Sequence, residues 1–143
     1  MSDTTSRIVP MLAYEDGVAA IQWLCRVFGF TEKEKWLDDK GTLSHGEISL
    51  GSEIIILASP SPAYQSPKHH RQVCKPAEEW YKVPYIINGV LVYVDDVRSH
   101  YENAKNNGAT ILSDLEEGGP GLRYRVEDLE GQRWMFIQYK RDS

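Results

Sequence analysis

With 143 residues, a hydrophobic fraction of 41% and a formal net charge of −5, the chain has the make-up of one ordinary globular domain, outside the disordered, collagenous and disulfide-scaffold classes. Sixteen Lys and Arg stand against 21 Asp and Glu with no dense basic run, which excludes the phosphate-backbone footprint of a nucleic-acid binder. The segment Met1 to Arg7 lacks the basic and apolar regions of a secretory signal, and no stretch approaches the roughly 18 apolar residues of a membrane span. The chain therefore reads as cytoplasmic, with no membrane partner. Cys25 and Cys74 show neither a disulfide framework nor a CxxC metal pattern, and read as free thiols.

In chain order, Ile8 to Leu12 predicts a strand, which Pro10 marks as an edge. Asp16 then offers an N-cap, and Ile21, Leu24, Cys25 and Phe28 recur at helical spacing up to the stop at Gly29, giving a helix over 17–28. Three strands follow, over 31–37, 43–50 and 52–59, broken by Asp38-Asp39-Lys40-Gly41 and by Gly51-Ser52. Residues 60–84 hold five of the seven prolines, so a connector is expected there, with at most a short helix around Ala77 to Tyr81. The pattern then restarts: a strand over 89–94, a helix over 97–107 capped by Asp95 or Asp96 and stopped by Gly108, and strands over 110–115, 122–127 and 134–139.

Both halves thus read βαβββ. Tyr14, Asp16, Val18, Gly29 and Thr31 fall on Tyr93, Asp95, Val97, Gly108 and Thr110 at an offset of 79, and Gly51, Ile54 and Ile56 fall on Gly131, Trp134 and Phe136 at 80. One domain over 1–143 is expected, with repeat units at about 7–59 and 86–140 and a Pro-rich connector at about 60–85.

Several segments carry a resemblance to a known family. They are Pro10-Met11-Leu12-Ala13-Tyr14-Glu15-Asp16, Ala20-Ile21-Gln22-Trp23-Leu24, Phe28-Gly29-Phe30, Val92-Tyr93-Val94-Asp95-Asp96-Val97, and the ending Glu127-Asp128-Leu129-Glu130-Gly131-Gln132-Arg133-Trp134-Met135-Phe136, which is like "DPxGxxWxF". In order and spacing the chain resembles the glyoxalase/bleomycin-resistance/dioxygenase group, also called the vicinal oxygen chelate superfamily. The resemblance implies an α+β fold in which two βαβββ repeats form a curved mixed sheet with a central cavity, and a homodimer. It also implies, in the enzymes of the group, a divalent metal held by His and Glu from the first and last strand of each unit. Those positions fall at Val9, Ile55, Gly89 and Met135, none of which supplies an imidazole or carboxylate. No metal or other cofactor is therefore expected.

Among polar candidates, His45 and Glu47 lie two apart on a strand and share a face, an arrangement suited to acid/base work, to half a metal site or to a structural hydrogen bond. If Gly51-Ser52 is a two-residue turn, Glu47 pairs with Ile56, which puts it on the face of Ile54 and Ile56 and away from the expected cavity. Arg123 and Arg125 share a face suited to a carboxylate or phosphate, or to plain solvation. His69-His70 reads as an exposed pair and His100 as a helix-surface residue. Trp134 reads as core and Trp23 as helical, leaving Trp36 and Trp80 as cavity candidates. Gly118-Gly119-Pro120-Gly121 reads as an inter-strand loop rather than a phosphate cradle, and Cys25 does not read as a nucleophile. The expected ligand-binding residues are Trp36, His45, Glu47, Arg125 and Met135. Three functional readings follow: a metal-independent protein binding a small organic ligand in the cavity between the units; a metal-dependent lyase, isomerase or dioxygenase acting on vicinal oxygens; and a structural dimer with a filled cavity.

Overall fold

The computed structural model describes residues 7–85, 88–119 and 121–139. Its elements are β1 (Met11–Ala13), α1 (Gly17–Phe28), β2 (Thr31–Leu37), β3 (Leu43–Leu50), β4 (Glu53–Ala58), α2 (Pro67–Val73), α3 (Lys75–Trp80), β5 (Gly89–Tyr93), α4 (Val97–Asn106), β6 (Thr110–Gly118), β7 (Gly121–Glu127) and β8 (Arg133–Tyr139). The chain divides after Ser66 into two compact units, each with a four-stranded mixed sheet, ordered β1-β4-β3-β2 in the first and β5-β8-β7-β6 in the second. The expected repeat boundaries at 86 and 140, Pro120 of the expected loop, and residues 1–6 lie outside the described residues. Among the described residues, no helix is long and apolar enough to cross a membrane.

In the first unit, α1 covers one sheet face. Gly46 sits so close under it that an added Cβ would lie 2.7 Å from Ile21 Cδ1, which identifies Gly46, Ile48, Ile55 and Leu57 as the helix-facing row. Ile21, Leu24, Ile48 and Leu57 are essentially fully buried, each worth roughly 1.5–3 kcal/mol of transfer free energy. β1 is an edge strand, where Pro10 accepts from Ile56 N through its carbonyl and needs no N–H of its own.

In the second unit, α4 packs on Tyr124 and Phe136. The His100 ring lies 4.0 Å from that of Phe136, and His100 Nδ1 is hydrogen-bonded to Tyr124 Oη at 2.6 Å. His100 is therefore half-buried against the sheet rather than a surface residue, and burial raises the Tyr124 hydroxyl far above the usual phenol range. Each repeat caps its helix in the same two ways. Asp16 and Asp96 accept from Ala19 N and Ser99 N, and the first helical N–H groups, of Gly17 and Val97, donate to Ser59 Oγ and Gln138 Oε1 just past or at the end of the last strand.

These caps correct the expected alignment. Asp16 corresponds to Asp96, not Asp95, whereas the ladders Met11↔Ile56 and Leu91↔Met135 set the last strands at an offset of 79, so that Ile55, not Ile54, corresponds to Trp134. The last strand of the second unit thus comes one residue sooner after its helix cap: the β7–β8 turn, Asp128 to Gln132, is longer than the Gly51-Ser52 turn of the first unit, but the connection from β6 to β7, Gly118 to Gly121, is shorter than that from Leu37 to Leu43 and offsets it.

The short helix expected around Ala77 to Tyr81 is present as α3, and the connector departs from the expected loop in carrying α2 as well. Pro67 opens α2 and Pro76 stands in the first turn of α3, positions where a missing N–H costs nothing, so these prolines start helices rather than prevent them. α2 is held to the β7–β8 turn: Lys68 N donates to Glu130 O, and a Cβ on Gly131 would lie 2.8 Å from Lys68 N. Gly41 has a similar left-handed backbone but open space around it. Gly131→Ala is accordingly expected to cost clearly more than the roughly 1 kcal/mol of backbone strain that Gly41→Ala carries, read as a larger fall in denaturant midpoint.

Candidate functional site

Alternation along each strand leaves one sheet face of each unit turned away from its helix, and these faces carry the chemistry. In the first unit the register pairs Glu47 with Ile56, as the two-residue turn requires. The Ile54–Ile56 row, however, is the one turned away from α1, whereas Ile55, 6% exposed, packs on the helix side. His45 and Glu47 therefore stand on the uncovered face, the reverse of the placement inferred from the alignment that slipped by one.

On that face His45 Nε2 and Glu47 Oε2 are hydrogen-bonded at 2.8 Å, with both side chains largely buried. The carboxylate fixes the imidazole plane, as an orienting partner does in acid/base and binding sites. Irregularities on either side of β2 residues Glu34 to Trp36 bring Trp36 opposite His45, with ring centroids 5.1 Å apart, and Ser44 Oγ donates to Trp36 O. The Trp36 indole remains 58% exposed and Met11, in the same row as Ile56, 75% exposed. Trp36, His45 and Glu47 thus form one cluster, an apolar plate beside an oriented polar pair.

In the second unit, Arg123 and Arg125 face away from α4, while Tyr124 and Val126 are fully buried beneath it. Arg125 Nη1 donates to Glu116 Oε1 at 2.7 Å, and Met135 lies directly across from Arg125 with 8% exposure. Arg125 and Met135 are brought together in this unit, and Trp36, His45 and Glu47 in the other.

A pseudo-twofold metal set does not fit these residues. The structural ladder moves the last-strand position of the first unit from Ile55 to Ile56, so the four positions are Val9, Ile56, Gly89 and Met135, without an N or O side-chain donor among them. Among the described residues, no group of three or more His, Cys, Asp or Glu is assembled for a metal ion. His69 and His70 lie on α2, half-buried, with the His70 ring 6.1 Å from that of Trp80 on α3. Trp23 meets Phe28 edge-on, and both cysteines are free thiols. A groove of about 600 Å³ lies elsewhere in the first unit, lined by Glu15, Asp38, Asp39 and the 59–62 segment, and contains none of the candidate residues.

One cluster was missed from the sequence. Glu127, 2% exposed, accepts from both Nη atoms of Arg71 at 2.7 and 2.9 Å and from Arg133 Nε at 3.3 Å. Arg133, also 2% exposed, donates onward to the carbonyls of Tyr81, Val83 and Tyr85 and lies over the Tyr81 ring. Bonding to Glu127 raises the Arg71 guanidinium still further above its ordinary range. The signal was present in Glu127 and Arg133 flanking the Asp128 turn, directly opposite one another.

The sequence model of the Glyoxalase/Bleomycin resistance protein/Dioxygenase superfamily matches residues 7–136. Among solved structures, TioX from Micromonospora sp. ML1 is 29% identical with a TM-score of 0.67, covering 96% of this chain and 99% of that one. TnmS3, an antibiotic binding protein from Streptomyces sp. CB03234, is 13% identical with a TM-score of 0.67 over 92% and 93% of the two chains. A glyoxalase/bleomycin resistance protein/dioxygenase from Alicyclobacillus acidocaldarius is 14% identical with a TM-score of 0.63 over 99% and 97%. No curated protein sequence matches the chain.

Proposed function

The chain belongs to the glyoxalase/bleomycin resistance protein/dioxygenase superfamily, and from that premise we propose that it binds a small organic molecule without a metal ion. One observation carries the reading: the uncovered sheet face of the first unit presents an exposed indole, Trp36, beside a histidine oriented by Glu47, whereas the positions that hold a metal in the family's enzymes bear hydrocarbon, glycine and thioether. An exposed aromatic plate next to an oriented hydrogen-bonding pair suits a planar ligand with a polar edge. The fold accommodates such a role in TnmS3, an antibiotic binding protein.

Titration of chelator-treated, untagged protein with planar two- and three-ring organic molecules tests the reading. Binding is expected, and Trp36→Ala is expected to weaken it about 5- to 10-fold, the value of an aromatic contact plus its area. Because the indole is mostly exposed, the same substitution is expected to change folding stability by less than about 0.5 kcal/mol. Equal affinity of the variant and the parent would remove Trp36 from the site.

A further inference from the structure

We propose that the second unit, taken by itself, binds an organic carboxylate, which Arg123 and Arg125 receive on the face turned away from α4. The proposal rests on the small-molecule reading and adds a chemical class of ligand that the second unit takes on its own residues.

Three observations support it. The first is charge. Among the described residues, Glu116 is the one acidic partner of both arginines, 2.7 Å from Arg125 Nη1 and 3.7 Å from Arg123 Nε. The other carboxylate on this face of β7, Glu127, is already bonded to Arg71 and Arg133. One positive charge is therefore left over beside a single shared carboxylate.

The second is hydrogen bonding. Nε of Arg123 and Nε of Arg125 are removed from water and have no hydrogen-bond partner among the described residues. Buried guanidinium donors are rarely left unbonded. The Arg125 bond to Glu116 uses Nη1, which leaves its Nε and Nη2 edge as the fork that a planar carboxylate matches with two parallel bonds. Both side chains as a whole keep some solvent contact, 25% for Arg123 and 15% for Arg125. Gly118 lets the Arg123 head lie against the backbone, since a Cβ there would sit 2.8 Å from its Cζ.

The third is the surface next to the arginines. Met135 and Ile137, their cross-strand partners, are buried, and beyond them Tyr93 and Tyr139 stack at 4.1 Å with Leu91 on the same row, these last three exposed. An organic body lying on that strip would place an acid group at the arginines. A carboxylate, with one negative charge, balances the surplus, whereas a phosphate dianion exceeds it.

Isothermal titration of the untagged full chain with 2-naphthoate, 2-naphthamide and 2-naphthyl phosphate tests this. The acid is expected to bind roughly 10- to 100-fold more tightly than the amide, the worth of charge-assisted hydrogen bonds. Arg125→Met is expected to bring the acid down to the amide, and Arg125→Lys, which keeps the charge and loses the fork, to fall between. Glu116→Gln is expected to tighten the acid and leave the amide unchanged, a gain that a merely destabilised variant does not give. An amide that binds as well as the acid overturns the carboxylate and leaves the small-molecule reading standing; a phosphate ester tenfold tighter than the acid overturns it in favour of phosphate. If no naphthyl compound binds while the planar panel does, the acid assignment alone falls, and if both are silent the two readings fall together.

Discussion

Arg133→Met is expected to destabilise the protein by about 3–5 kcal/mol, seen as a lowered denaturant midpoint at unchanged slope. Arg133 is almost wholly buried and links two structures within the second unit: the Glu127 carboxylate at the end of β7 and the chain carbonyls of Tyr81, Val83 and Tyr85 beyond α3. Methionine keeps much of the volume but leaves three carbonyls without their shared donor, and leaves Glu127 with Arg71 alone. Arg71→Met is the comparison. Arg71 is more exposed, 27%, lies over the Tyr81 ring and, among the described residues, hydrogen-bonds Glu127 alone, which would keep Arg133, so a smaller loss is expected. Hydrogen exchange adds a local readout: residues 81–85 are expected to lose protection in Arg133→Met well before the strands do. Equal losses for the two substitutions would show that the carbonyl bonds contribute nothing.

Trp134→Ala is expected to cost a further-reaching 3–5 kcal/mol or about that, through a different cause. The indole is fully buried, stacks at 6.0 Å on Phe136, and donates from Nε1 to Asp128 Oδ2 at 3.1 Å. The other Asp128 oxygen accepts from Glu130 N and Gln132 N and shapes the turn that brings Arg133 into place. Truncation therefore opens a large cavity and strips one oxygen of its donor. Trp134→Phe separates these effects: most of the volume stays and the hydrogen bond goes, for an expected loss of about 1–2 kcal/mol. A Phe variant as unstable as the Ala variant would place the whole effect on the Asp128 turn rather than on packing.

Much of the fold was legible because local signals and tertiary demands agree. α1, β2 and β3 fall on their predicted spans, where an Asp cap and a left-handed Gly29 bound the helix and turn residues bound the strands. The errors lie where one residue of register matters. The connections of the two units differ in length, β6 to β7 shorter and β7 to β8 longer than their counterparts, so that anchoring the repeat on turn glycines slips it by one; one residue of slip exchanges the two faces of a strand, which is why Ile55 and Ile56 traded roles and His45 with Glu47 was assigned to the wrong face. α2 was hidden by prolines that read as breakers until their first-turn positions were known.

The site was legible in its residue types rather than in its partners. The pairing of His45 with Glu47 and of Arg123 with Arg125 follows from a two-residue spacing on a strand, so both pairs were visible in the sequence. The approach of Trp36 to His45 depends on irregular pairing in β2, and the bond from Arg125 to Glu116 on irregular pairing in β6, neither of which alternation reveals. Glu127 with Arg71 spans 56 residues, a distance over which sequence pattern carries no signal.

The central claim, organic-ligand binding that needs no metal, is tested most directly by thermal denaturation of untagged protein against the planar panel, run in parallel with chelator and with added zinc. At 100 times its dissociation constant a ligand is expected to add about 2.7 kcal/mol of stability. The account predicts that at least one member of the panel raises the melting temperature equally in both series. Stabilisation that appears only with zinc, or none by any member in either series, would contradict it.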